Sequence, residues 1–97
     1  MKEKAFVTIN HLDLYGGHIK FKVGDKLYLN KDLDNIYDDE AIIATNDLDI
    51  KCGYVANSVY SVIRGSQSAG RIYEKIKDNN ECIVRFIGEE FLIAELK

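Results

Sequence analysis

Short segments of strict two-residue alternation, each cut off by Gly, Asn or Asp, recur along this 97-residue chain. Side chains on a β-strand point alternately to opposite faces, so such a segment gathers its apolar residues on one face of a sheet. Ala5–Asn10 sets Ala5, Val7 and Ile9 against Phe6 and Thr8. Ile19–Val23 sets Ile19, Phe21 and Val23 against Lys20 and Lys22, and after the Gly24–Asp25 turn Lys26–Asn30 sets Leu27 and Leu29 against Lys26 and Tyr28. Ala41–Thr45, Lys51–Val55 and Arg71–Ile76 read as further strands, and Glu81–Ile87 with Glu90–Leu96 reads as a hairpin about Gly88–Glu89. The spacing predicts one helix over Ser58–Arg64. Asn57 or Ser58 supplies the N-cap, Val59, Val62 and Ile63 fall at i, i+3 and i+4, and Gly65 stops it.

This pattern predicts an all-β, β-rich fold: an antiparallel β-barrel of six to seven short strands with one short helix. Closure removes exposed strand edges. Alternation alone does not separate an OB-like barrel from an SH3-like one. The whole chain, 1–97, reads as a single domain, with neither repeat nor linker. Apolar residues make up 46% and charged residues 30%, ordinary values for a globular protein. No apolar run approaches the roughly eighteen residues of a membrane helix. The N-terminal apolar run is too short for a signal-peptide core, so a cytoplasmic location is expected.

Charge is distributed unevenly. Residues 1–31 carry six lysines and three acids, residues 32–49 carry seven acids and no base, and residues 50–97 carry seven bases and six acids. The formal net charge is −3, so a molecule-wide basic footprint for nucleic acid is missing and only a local patch can serve. The acids at Asp32, Asp34, Asp38 and Glu40 invite a calcium reading. An EF-hand loop, however, needs Gly at its sixth and Glu at its twelfth position, where this chain has Tyr37 and Ile43. Asn35 and Asp38 fit better as turn-formers that bond nearby backbone N–H groups. Cys52 and Cys82 stand thirty residues apart in apolar stretches and read as reduced core thiols.

His11 and His18 flank Gly16–Gly17 without a nucleophile at motif spacing, and Gly65–Gly70 lacks the Lys-Ser/Thr ending of a phosphate loop. Neither enzymatic activity nor a cofactor is expected. Binding has more support. Tyr15, Tyr28, Tyr37, Tyr54 and Tyr60 offer stacking faces, Lys20, Lys22 and Lys26 surround the Gly24–Asp25 turn, and Arg64 and Arg71 bracket the Gly65–Gly70 loop. Aromatic rings that stack bases and cations that meet phosphates are how barrels hold single strands.

The order Val23–Gly24–Asp25, Asp34–Asn35–Ile36–Tyr37–Asp38, Ala41–Ile42, Gly53–Tyr54–Val55 resembles the HIRAN domain over roughly residues 5–76. The resemblance implies an OB-like barrel that grips the 3′ end of single-stranded DNA. It gives Tyr37 the stacking role and Asp38 the terminal hydroxyl, has Asn35 shape the loop, and turns Tyr54 to the same groove. Tyr15 is a possible stand-in for the family's first-loop aromatic, and Lys20, Lys22 or Arg71 are expected to meet phosphates. Ile36 stands where the family has Pro. Ala56–Asn57 replaces the Pro and basic residue after Gly-Tyr-Val, and Asp13–Leu14 replaces the first-loop Arg and aromatic. With those basic residues missing, a protein partner is the rival expectation.

Overall fold

The computed structural model describes residues 4–12, 20–58 and 60–97. Among these residues six strands and one helix follow one another: β1 (Phe6–Asn10), β2 (Lys26–Lys31), β3 (Ile42–Thr45), β4 (Lys51–Val55), α1 (Ala69–Ile72), β5 (Asn80–Ile87) and β6 (Leu92–Leu96). They form a closed barrel in the order β1-β4-β3-β2-β5-β6. Every neighbouring pair of strands runs antiparallel. The expected all-β, OB-like barrel with one short helix is what the chain forms.

Alternation explains how the strands fill the interior. Leu27 and Leu29 of β2 point inward and are buried, while Lys26 is exposed and Tyr28 half-buried. Val7 and Ile9 of β1, Cys82 and Val84 of β5, and Leu92 and Ala94 of β6 follow the same alternation, whereas Cys52 and Val55 of β4, three apart, both reach the core because the pairing of β4 with β3 shifts register at Ala44/Thr45. On the outer side of β1, Thr8 is buried as well, because the chain between β4 and α1 lies over it. The Ile63 N–H donates to Thr8 Oγ1 at 3.1 Å, Thr8 Oγ1 lies 2.7 Å from Ser66 Oγ, and the Gln67 N–H donates to the Phe6 carbonyl at 2.6 Å. The C-terminal hairpin closes the barrel, β5 against β2 and β6 against β1.

Three local expectations are overturned. The described residues of 58–64 do not form the helix. Ser61 and Val62 both donate to the Ser58 carbonyl at 3.0 Å in a run of turns that ends at Gly65, whose φ is +95°. Ile63, expected on a buried face, is exposed, so that stretch has no core to face; Val59 lies outside the described residues. The helix lies instead at Ala69–Ile72, overlapping the start of the segment read as a strand over Arg71–Ile76. Ser68 caps it by accepting the Arg71 N–H at 3.3 Å, and Ala69 and Ile72, three apart, are both buried. Such a short helix is held by packing.

The strand expected over Ile19–Val23 is absent among its described residues, 20–23. The Lys22 N–H donates to Asp25 Oδ2 at 2.8 Å, the Asp25 N–H donates to the Lys22 carbonyl at 3.0 Å, and Val23, expected inside, is 62% exposed. Gly24 allows this turn, with φ at +98°. It also donates its N–H to the Val84 carbonyl at 2.7 Å, which ties the turn to β5.

Candidate functional site

The loop between β2 and β3 is built by its own polar side chains. The Asp32 N–H donates to the Ala41 carbonyl at 2.8 Å and closes the base. Asn35 Oδ1 accepts the N–H groups of Tyr37 and Asp38, both at 2.9 Å, and Asp38 Oδ1 accepts the Glu40 N–H at 2.9 Å. These short-range bonds define the bend. Ile36 is 85% exposed and Tyr37 92% exposed.

Facing this loop is the end of β4. Tyr54 pairs with Asn10 of β1 and Ile43 of β3, and its hydroxyl donates to Asp32 Oδ2 at 2.7 Å. That bond spans 22 residues and ties the ring of β4 to the base of the acidic loop. Gly53 is required by close approach: a Cβ there would run into the Asn10 carbonyl. Asn57 is a second tie. Its Oδ1 accepts the Gly70 N–H at 2.8 Å, and its Nδ2 lies 3.5 Å from Glu40 Oε1. Asn57 thus joins the acidic loop to α1.

Between loop and strand end lies an open groove of about 430 Å³. Asn35, Tyr37, Asp38 and Tyr54, four residues expected at a site from the sequence, all line it. Asn10, His11, Asn57, Ser58 and Ser61 line it too. These five were not expected at the site; the signal for Asn10 lay in its register opposite Tyr54, which alternation alone does not give. Among the described residues the lining contains neither Lys nor Arg, and Asp38 is its one carboxylate.

The expected cations lie elsewhere. Lys20 lines an adjoining cavity of about 780 Å³, which shares Asn10 and His11 with the groove and also holds Glu89 and Glu90. Lys22 sits in the Gly24 turn, and the Arg71 guanidinium reaches Gln67 Oε1 at 3.5 Å. Neither Lys22 nor Arg71 lines the groove. Tyr15 and His18 lie outside the described residues.

Among the described residues, no group of three His, Cys, Asp or Glu side chains is placed to hold a metal ion. Both cysteines face the core. Burial pushes the Cys52 thiol up to about 11 and the Cys82 thiol up to about 12, against an ordinary value of 9.0. They are therefore protonated thiols near neutrality. No described helix is long and apolar enough to cross a membrane.

Fold and site together define a class: a closed OB-like antiparallel barrel with a tyrosine-rimmed groove at an end where β1, β4 and the acidic loop meet. No protein-family model matches the chain, no curated protein matches it, and no solved structure matches it.

Proposed function

We propose that this barrel is a non-enzymatic binding module for the 3′ end of single-stranded DNA, as its resemblance to the HIRAN family implies, and that it works in the cytoplasm. One observation carries the reading. A loop and a strand end from separate parts of the chain bring Tyr37, Asp38 and Tyr54 to one groove. Tyr37 offers a solvent-facing ring on which a terminal base stacks, a contact worth about 1–3 kcal/mol. Asp38 uses Oδ1 on the Glu40 N–H, which leaves its other oxygen to accept a terminal hydroxyl proton. Tyr54, tethered to Asp32, forms the opposite wall, and Asn35 holds the bend that presents Tyr37 and Asp38.

A second reading has its own observation. Leu33 is 81% exposed, Ile36 85% and Tyr60 97%, beside a run of acids. Exposed apolar side chains of this size suit a protein partner. Fluorescence anisotropy with a short 5′-labelled oligonucleotide ending in a free 3′-hydroxyl separates the two. The DNA reading expects saturable binding at low salt that Tyr37→Ala weakens by about 1–3 kcal/mol. No binding at low salt would favour the protein partner.

A further inference from the structure

We infer that the groove takes a single uncharged nucleoside, so that a free nucleoside binds it without help from any phosphate. This rests on the DNA-end reading of the same groove and names the part of the ligand that it holds. Three observations carry the inference.

The first is size. About 430 Å³ lies near the lower end of small-molecule pockets, which run from about 300 to 1,000 Å³. One base with its sugar suits that space. The second is charge. No described lining residue is Lys or Arg, and the segment 13–19 contains neither in its sequence. Asp38 lines the groove, with Asp39 and Glu40 beside it in the chain. The adjoining cavity sets Lys20 against Glu89 and Glu90, so it does not supply a cationic seat either. A phosphate brought here meets like charge over a few ångströms, a separation at which salt screens little. The third is the lining chemistry. Asp38 accepts hydrogen bonds, the hydroxyls of Ser58 and Ser61 donate or accept them, and Tyr37 offers a ring. Those groups match sugar hydroxyls and a base face, neither of which needs a counter-charge.

The test is an NMR titration of the whole chain with 2′-deoxyadenosine and, separately, with 2′-deoxyadenosine 5′-monophosphate. An anisotropy titration with the 3′-hydroxyl oligonucleotide runs beside it. The expected result is that deoxyadenosine shifts resonances of Tyr37, Tyr54, Ser58 and Ser61 and binds at least as tightly as its monophosphate. The Tyr37→Ala chain should lose that binding. A monophosphate that binds about tenfold tighter, equivalent to about 1.4 kcal/mol, would reveal a phosphate seat and overturn the inference. If the oligonucleotide binds and neither small molecule does, the inference fails and the DNA-end reading survives. If deoxyadenosine binds and the oligonucleotide does not, the inference holds and the DNA-end reading fails. Absence of all three overturns both.

Discussion

Gly53 shows how one residue sets the spacing of the site. Its missing side chain lets β4 pass close to the Asn10 carbonyl, and the next residue, Tyr54, reaches the groove. Gly53→Ala should therefore destabilise the barrel by about 1–3 kcal/mol, the usual cost of forcing atoms into a packed position. Urea unfolding followed by far-UV circular dichroism reads that loss. A midpoint equal to that of the unmodified chain would contradict the close approach. The two cysteines give a second residue-scale prediction. With the thiols pushed to about 11 and about 12 by burial, little thiolate exists at pH 8, and neither sulfur is open to solvent. A thiol reagent such as Ellman's should label the native chain slowly and both thiols quickly in denaturant. Fast labelling of one native thiol would contradict its placement in the core.

At the scale of elements, the acidic loop and the C-terminal hairpin lend themselves to separate tests. Asn35 accepts two backbone N–H groups, so Asn35→Ala should loosen the bend that carries Tyr37 and Asp38. Stability should change by about 1 kcal/mol, since hydrogen bonds near solvent have modest net worth. Ligand affinity should fall more than stability does, as a comparison of chemical melts with binding titrations would reveal. In the hairpin, Glu95 is buried between Arg85 at 3.0 Å and Lys97 at 3.3 Å. The hydrogen bond from Arg85 is the main reason its carboxyl lies below the ordinary value of 4.5; burial opposes the shift, and Lys97 adds to it. A carboxyl with a lowered folded pKa contributes stability above its unfolded value and loses it as pH falls through the folded one. Glu95→Gln should thus cost stability at pH 7, and the gap to the unmodified chain should shrink as pH drops below about 4.5. A gap that stays constant from pH 7 to pH 3 would remove Glu95 from the acid response.

The same elements show what was legible in the sequence. β2 was readable because Leu27 and Leu29 alternate with polar residues against one core. The helix is found elsewhere because Val62 and Ile63, at i+3 and i+4 from Val59, do not enter the core, whereas Ala69 and Ile72 do. Local spacing does not reveal which apolar pair finds the interior. Val23 was misplaced for a related reason: the Asp25 side chain captures the Lys22 N–H and bends the chain before a strand forms.

The whole molecule is a small barrel whose two open questions are what fills it and what its groove holds. Burial of Leu29 at the centre of β2 makes Leu29→Ala a stringent test of the packing, with an expected loss of about 2–5 kcal/mol in a denaturant melt. Four groove residues were legible because motif order keeps Asn35, Tyr37, Asp38 and Tyr54 together. Asn10, His11, Ser58 and Ser61 were not, because only barrel closure brings β1 and the chain after β4 to the same end. Among the described residues the groove lining has neither Lys nor Arg, and its acidic side comes from residues 32–49, which carry seven acids and no base. That makes the chemistry of the strand's last atom the deciding variable. The central claim is tested most directly by titrating the unmodified protein, at one low salt concentration, with two copies of a short single-stranded oligonucleotide that differ only in ending with a 3′-hydroxyl or a 3′-phosphate. Tighter binding of the hydroxyl end is the expected result, because Asp38 would accept a hydrogen bond from the hydroxyl and repel the phosphate. Equal affinity for the two ends, or binding of neither, would contradict it.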